Sequence, residues 1–371
     1  EKLDADDRDK QGGYICLALA LMPENSEDCI NRVYSAKRMP KEKDALKDGR
    51  DAASVCSKLT ERLLKYAVWN QDKTQVGWFK VQMSAYGKQT WNIMPMNMYL
   101  YDGLAGMLLI FDALKRKSDR KEIADIAVTL KKMLFCYTDA GITSSDRLNT
   151  KNTGAYEGEA SILYTYLLLN RQTGEGVYLE YAKRHAEIVG RLLGADNKYD
   201  LLTGNAGAAA VLLMLYEAAE DSKYLSMAEY AVEVLFMKAQ RQETGVGWTV
   251  EKGIPPMAGM AHGNSGVLMA VTTLWEKTGR KKYQELAEEI WAYENTLYSR
   301  EKNNWRDVRG EDEKDDTGAV AWCHGAAGVL LSRVYCYQHA CTKEWRKRMK
   351  NDMMHAYEKV KDCWRRDSFT L

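Results

Sequence analysis

The sequence contains little proline and no long apolar run. Only five prolines occur in 371 residues, namely Pro23, Pro40, Pro95, Pro255 and Pro256. Long proline-free segments rich in Ala, Leu, Met, Glu and Lys suit uninterrupted helices. No stretch approaches the roughly 20 consecutive apolar residues that a membrane-spanning helix requires. The composition therefore predicts an all-α fold and a protein that is not transmembrane.

The sequence also has no excess of charge of one sign and no secretory signal. Its 53 Lys and Arg residues nearly balance 52 Asp and Glu residues, for a formal net charge of +1, which argues against nucleic acid as a partner. The first ten residues carry both signs of charge and lack the apolar region of a signal peptide. The eight cysteines are scattered along the chain, unlike a dense disulfide framework. We therefore predict a cytoplasmic protein with reduced thiols.

The main positive signal is an internal repeat. A glycine, two residues, a small residue and a strongly apolar run recur at intervals of 46 to 62 residues. The repeats begin at Gly103, Gly158, Gly204, Gly263 and Gly325. The apolar runs are typical of helices buried on all sides, and amphipathic segments with charged outer faces lie between them, at 178–193, 224–239 and 281–293.

Each repeat is predicted to contain one outer amphipathic helix and one inner helix that starts at a glycine turn. Such pairs can spiral open as a solenoid or close into a ring. We favour an α/α toroid, a six-fold double-layer helical barrel, because the inner runs are too uniformly apolar to line an open groove. The period places a sixth glycine motif at about 371–387, so the last inner helix is expected to be missing from these 371 residues.

Polar residues precede three of the repeat glycines. Asp200 lies shortly before Gly204, His262 directly before Gly263, and the pair Cys323-His324 directly before Gly325. Taken singly, an Asp before a helix is usually an N-cap, a His a structural residue and a Cys a small hydrophobe. Because they occupy equivalent positions in successive repeats, we instead predict that they meet at one end of the ring. His185, on an amphipathic outer segment, is predicted to be solvated.

Five segments carry a resemblance to a known family. They are LYDGLAGM (100–107), GAYEGEASILYTYLLL (154–169), YDLLTGNAGAAAVLL (199–213), GMAHGNSGVLMAV (259–271) and AWCHGAAGVLLSR (321–333). With these motifs in this order, residues 45–371 resemble the LanC-like cyclase domain of class II lanthipeptide synthetases. Residues 1–44 are interpreted as a separate N-terminal segment, the tail of a dehydratase domain.

The resemblance implies a zinc-dependent cyclase of lantibiotic-type peptide biosynthesis. Such an enzyme adds cysteine thiolates of a precursor peptide to dehydroalanine or dehydrobutyrine and forms (methyl)lanthionine thioether rings. By resemblance, Cys323 is one ligand of a single Zn²⁺, and two further ligands are expected in a Cys-His-Gly motif beyond Leu371. His262 is the implied acid or base, Asp200 orients or assists it, and His324 lines the same pocket.

The implied partners are a precursor peptide with dehydrated Ser/Thr and free Cys, and the dehydratase domain of the same synthetase. No Gly-rich phosphate loop or kinase-like motif of such a dehydratase occurs in the chain. Class I cyclases carry an Arg shortly before their Trp-Cys pair, whereas this chain has Thr-Gly-Ala-Val-Ala at 317–321. The acidic segment 309–316 is interpreted as a solvated insertion.

Two alternatives remain open from the sequence. One is a glycan-active α/α barrel enzyme, which needs paired carboxylates flanked by aromatic residues. Its candidate acids are Asp200, Glu157 and Glu159. The other is a non-catalytic peptide- or glutathione-binding LanC-like protein.

Overall fold

The computed structural model describes residues 5–20, 52–83, 91–250, 252–309 and 318–365. These residues form twelve α-helices, which confirms the predicted helical fold. The helices are α1 (Ala5–Ala20), α2 (Ala52–Lys65), α3 (Leu104–Lys115), α4 (Lys121–Thr143), α5 (Glu159–Thr173), α6 (Gly176–Leu192), α7 (Asn205–Ala219), α8 (Ser222–Lys238), α9 (Asn264–Thr278), α10 (Lys281–Thr296), α11 (Ala326–Gln338) and α12 (Lys343–Arg365).

Short antiparallel hairpins, which the sequence did not predict, lie between some of the helices. Within the described ranges there are four, each of two strands. They pair β1 (Val68–Trp69) with β2 (Val76–Gly77), β3 (Phe79–Met83) with β4 (Trp91–Pro95), β5 (Gln240–Arg241) with β6 (Val246–Gly247), and β7 (Tyr298–Ser299) with β8 (Asn304–Trp305).

The five predicted inner helices begin where the repeat places them. In α3, α5, α7, α9 and α11 the N-cap residue is the first glycine of the repeat. A glycine has no side chain that could cap the helix. The first turn of each inner helix therefore depends on neighbouring loops for its hydrogen bonds. The predicted outer segments are confirmed as α6, α8 and α10, with ends shifted by up to three residues.

The chain divides into two compact units. The first comprises residues 1–97 and 102–133, and the second comprises 98–101 and 134–371. In the second unit each inner helix packs against the outer helix that follows it, as in α7 with α8 and α9 with α10. The inner helices also pack in series, α5 on α7, α7 on α9 and α9 on α11. Their side chains form much of the buried core, including Ala206, Leu212, Leu268 and Val329.

Backbone hydrogen bonds join the loops that precede successive inner helices. The N–H of Ala155 donates to the carbonyl of Leu201 at 3.0 Å, that of Leu202 to Ala261 at 3.0 Å, and that of Met260 to Trp322 at 3.2 Å. Tyr101 N–H likewise donates to Tyr156 at 3.0 Å. We call these joined segments (residues 101, 154–157, 199–203, 259–262 and 321–324) the loop stack. It brings polar motifs that lie far apart in the sequence to one end of the second unit.

The second glycine of the repeat allows the inner helix to approach the loop stack closely. A Cβ atom at Gly266 would lie 2.4 Å from the carbonyl oxygen of Met260, and one at Gly328 would lie 2.1 Å from that of Trp322. Such contacts are far inside van der Waals distance, so a side chain would force helix and loop apart. The small residue in the repeat therefore fixes the loop stack against the inner helices.

The predictions about membrane-spanning helices and about His185 have different outcomes. No helix in the described part of the chain is both long and apolar enough to cross a membrane. The prediction that His185 is solvated is wrong, because its side chain on α6 is fully buried. Of the interpreted N-terminal segment, residues 1–4 and 21–44 lie outside the described residues, as does 310–316 of the acidic segment.

Candidate active site

Asp200 and His262 meet across two repeats. Oδ2 of Asp200 lies 2.8 Å from Nδ1 of His262, although 62 residues separate them in the sequence. Asp200 is almost completely buried, and His262 retains 26% of its side-chain exposure. This bond uses one ring nitrogen of His262 and leaves Nε2 for another partner. A cavity of ≈ 20 Å³ borders the pair, with Lys198 and Trp248 in its lining.

The other oxygen of Asp200 holds the carboxylate in place. Oδ1 accepts hydrogen bonds from the backbone N–H of Thr203 at 2.6 Å and from its hydroxyl at 2.9 Å. The N-cap of α7 is Gly204, so the simple interpretation of Asp200 as a helix cap is wrong. The carboxylate caps its own turn with one oxygen and aims the other at His262. A carboxylate bound in this way fixes the orientation of an imidazole.

Cys323 and His324 lie against the loop that carries His262. Gly259 has φ +119°, and a Cβ atom there would lie 2.2 Å from the carbonyl oxygen of Cys323. The Cys323 thiol is free and partly exposed. Burial, together with the positive charge of Arg309, lowers the pKa of His324 to about 4, so its imidazole is neutral at pH 7. The structure therefore places all four predicted site residues in the loop stack.

Two charged residues near this site were not identified from the sequence. Nη2 of Arg309 lies 2.6 Å from Oδ2 of Asp307, and Nε lies 2.9 Å from Oδ1, so the pair is bidentate. Burial raises the pKa of Asp307, but the hydrogen bonds and charge of Arg309 outweigh it and lower the pKa overall. The guanidinium of Arg309 is close enough to His324 for its positive charge to lower the pKa of that imidazole. The pair lies in an irregular segment, where no periodic pattern marks it.

Glu159, a candidate acid for a glycan-active enzyme, is part of a buried structural network. Its Oε1 accepts hydrogen bonds from the hydroxyls of Tyr99 at 2.7 Å and Tyr137 at 2.9 Å. Its Oε2 lies 3.1 Å from Nε2 of His185, whose Nδ1 lies 2.9 Å from the hydroxyl of Thr138. The carboxylate is completely buried. It ties the start of α5 to α4 and α6 and does not reach a substrate.

A metal site is not complete within the described residues. In the parts of the chain that the structure describes, no three His, Cys, Asp or Glu side chains are grouped as metal ligands. A structural or catalytic zinc ion takes three or four protein ligands. Cys323 is therefore at most one ligand of such a site, and its ligand role stays a prediction.

Comparisons with known proteins identify the family of the chain. The profile of the family "Lanthionine synthetase C-like protein" matches residues 94–371. A curated relative, the lacticin 481/lactococcin biosynthesis protein LcnDR2 of Lactococcus lactis subsp. lactis, is 26% identical over 129 residues. That match covers 35% of this chain and only 12% of the relative.

Among solved structures, nisin cyclase is similar with a TM-score of 0.53 at 17% identity, over 71% of this chain and 70% of that chain. The shared fold confirms the predicted α/α toroid class. An unsaturated glucuronyl hydrolase specific for heparin is similar at a TM-score of 0.46 and 14% identity, over 76% of each chain. A likeness at that level carries no argument for a glycan-active enzyme.

Proposed function

Because the chain belongs to the lanthionine synthetase C-like family, we propose that it closes lanthionine rings in a dehydrated precursor peptide. In this reaction a cysteine thiol of the peptide loses its proton, and its sulfur bonds to the β-carbon of dehydroalanine or dehydrobutyrine. The alkene π bond breaks, and the resulting enolate takes a proton at its α-carbon. The observation that carries the proposal is the Asp200–His262 hydrogen bond in the loop that packs against Cys323.

We propose His262 as the proton-transfer residue. Its Nδ1 faces the Asp200 carboxylate, so a proton on Nδ1 is held there and Nε2 exchanges protons with the substrate. Partial exposure of the imidazole leaves it accessible to a peptide. Asp200 is then a positioning residue, which stabilises the imidazolium and fixes the ring.

We assign His324 and Arg309 to the stabilisation of the enolate. His324 is neutral, so it can donate a hydrogen bond to the developing oxyanion without carrying a charge of its own. Arg309 adds a positive charge near the same residue while remaining bound to Asp307. The neutral donor favours the negatively charged enolate over the uncharged alkene, and Asp307 offsets part of the positive charge of Arg309.

Zinc is proposed as the cofactor, with Cys323 as one ligand. When bound, zinc would lower the pKa of the peptide thiol from about 8.5 and supply a thiolate at neutral pH. No group of metal ligands forms among the described residues, so the assignment of Cys323 as a ligand rests on the resemblance to the family. Removal of zinc with a chelator is expected to abolish ring closure.

We further propose that the chain acts with a dehydratase domain of the same class II synthetase. The curated relative extends far beyond the matched 12% of its length, which leaves room for another domain there. The cysteines whose side chains are described are all free, in keeping with a cytoplasmic location. The precursor peptide is then dehydrated before it reaches the site described above.

The test is a thiol count. The purified full-length protein is incubated with zinc and a dehydrated peptide that carries one free cysteine, and unreacted thiol is alkylated and counted by mass spectrometry. We expect progressive loss of alkylatable thiol at constant peptide mass, because the addition is an isomerisation. Cys323→Ala is expected to abolish this loss, whereas Cys341→Ala, an exposed cysteine outside the loop stack, retains it. Equal thiol counts with and without the wild-type chain would refute the proposed function.

A further inference from the structure

Three aromatic side chains from three separate repeats meet beside Cys323. The rings of Tyr101 and Trp322 are stacked, with centroids 6.3 Å apart and an interplanar angle of 22°. Tyr156 meets the same tryptophan edge-on, with centroids 5.2 Å apart and an angle of 69°. The ring of Tyr101 is thus nearly parallel to that of Trp322, and the ring of Tyr156 is nearly perpendicular to it. We call Tyr101, Tyr156 and Trp322 the aromatic corner.

The aromatic corner is built on the same backbone as the proposed active site. Trp322 directly precedes Cys323, and its carbonyl accepts the N–H of Met260 in the loop that carries His262. Tyr101 donates its N–H to the carbonyl of Tyr156 at 3.0 Å. The three rings therefore belong to the loop stack, and their positions relative to Cys323 are fixed by main-chain hydrogen bonds.

The corner retains accessible aromatic surface. Tyr101 is 60% exposed although it stacks on Trp322, and Tyr156 and Trp322 are half-buried. A single exposed tyrosine is ordinary on a protein surface. Three rings brought together by loops more than 50 residues apart are a constructed surface, and aromatic rings offer a large contact area with few rotatable bonds.

We infer that the aromatic corner is a specificity subsite that binds an apolar or aromatic side chain next to the reacting cysteine of the peptide. This inference rests on the proposed function and adds a substrate preference to it. Consecutive Cα atoms are about 3.8 Å apart, so a peptide thiol held near Cys323 places its neighbouring residue beside Trp322. The corner presents rings without a formal charge, which favours apolar side chains through burial of area.

A binding experiment without chemistry tests the subsite. Two labelled synthetic peptides carry Ser in place of the reacting Cys, with Phe before that Ser in one and Asn in the other. Fluorescence anisotropy gives Kd for the full chain with each peptide. We expect the Phe peptide to bind about tenfold more tightly, the size of one good aromatic contact. Because Ser cannot react, this preference is measured independently of catalysis.

Variants then assign the preference to the corner. Tyr101→Ala is expected to lose about tenfold in affinity for the Phe peptide and little for the Asn peptide. Tyr101→Phe, which keeps the ring, retains the preference. Tyr230→Ala removes a tyrosine of similar exposure, 49%, from the outer helix α8 and serves as the matched control. Because Tyr101 is exposed, its truncation leaves the core intact, which a thermal melt verifies.

Each outcome decides the inference. Equal affinity for the two peptides, no detectable binding of either, or a preference that survives Tyr101→Ala would overturn the subsite. Tighter binding of a peptide with Lys at the same position would also overturn it, because the corner would then select a cation. Ring closure without a flanking preference refutes the subsite alone. A Tyr101-dependent preference without ring closure refutes only the proposed function.

Discussion

Asp200 controls the state of His262 through one hydrogen bond. In Asp200→Asn, the amide NH₂ would take the place of Oδ2 and donate to Nδ1, which moves the imidazole proton to Nε2. The remaining carbonyl oxygen still accepts from Thr203, so the turn persists. We predict a fall in kcat of about 100-fold or more with little change in KM, measured as the rate of thiol loss.

The control for this substitution is Asp221→Asn. Asp221 also accepts a backbone N–H, from Lys223 at 2.9 Å, but it caps the outer helix α8 and is not part of the loop stack. We expect its activity to equal that of the wild type. If Asp200→Asn retained activity within about threefold, the role of Asp200 in orienting His262 would be wrong.

Among single residues, the sequence predicted those that occupy equivalent positions in successive repeats. Asp200, His262 and Cys323 each stand just before a repeat glycine, so position alone identified them. Arg309, whose charge acts on His324, could not be found in this way, because it lies in an irregular segment. The error at His185 has a different cause. Its partner Glu159 belongs to another helix, and no pattern within α6 shows that the polar side chain is satisfied in the core.

The elements of the second unit are held together by glycines as well as by apolar side chains. Gly266→Ala would place Cβ 2.4 Å from the Met260 carbonyl oxygen and 2.7 Å from Cβ of Leu201. Backbone cannot move aside easily, so we predict a loss of about 2–3 kcal/mol in the free energy of unfolding, measured by urea denaturation. Displacement of the loop that carries His262 should lower activity as well.

Gly190→Ala is the matched control, because it lies inside the outer helix α6. There the new Cβ meets only the flexible end of Met227, whose Cε is 2.8 Å away. Alanine also favours a helix interior by up to about 1 kcal/mol over glycine. The control should therefore be neutral or stabilising. An equal loss of stability in the two variants would show that Gly266 has no special role in close packing.

A buried charge network also supports the loop of His262. Arg333 on α11 is fully buried, and it binds Asp352 through Nε at 2.8 Å and Glu294 through Nη2 at 2.7 Å. Glu294 in turn accepts the hydroxyl of Ser265 at 2.7 Å and the N–H of Gly259 at 3.3 Å. One arginine thus connects α10, α11 and α12 to the loop stack.

Removal of that arginine leaves two buried carboxylates without their cation. We predict that Arg333→Met lowers the free energy of unfolding by about 3–5 kcal/mol. Lys281→Met, which breaks the exposed Lys281–Glu285 pair on α10, should leave the free energy of unfolding unchanged, because solvent screens such a pair. Chemical denaturation of the two variants measures both values. A loss of under about 1 kcal/mol for Arg333→Met would mean that the network contributes no net stability.

Helix starts were predictable at the element scale, whereas the hairpins and the aromatic contacts within the loop stack were not. Each inner helix begins directly after a glycine that the repeat identifies. A two-residue strand such as Gln240–Arg241 is too short to show alternation. The stacking of Tyr101 on Trp322 joins residues 221 positions apart, and only the packing of successive inner helices brings such loops together.

The charge of the whole molecule bears on how a peptide reaches this site. Positive and negative side chains are nearly equal in number, and ion pairs of opposite sign recur along the outer helices, such as Lys282 with Glu233 and Arg280 with Glu229. Such a surface produces little long-range field to steer a charged partner. Encounter with the peptide should therefore depend on short-range contacts, including those of the aromatic corner.

This argument predicts a weak response to salt. Between about 0.05 and 0.5 M NaCl the Debye length falls severalfold, which would strongly reduce association driven by net charge. For this chain we predict that kcat/KM for ring closure changes by no more than about twofold, measured by the same thiol count. A matched series with a Lys-tagged and a Glu-tagged peptide should give the same flat response. A steep fall for one tag alone would reveal a one-signed surface around the site, and peptide capture would then be electrostatic.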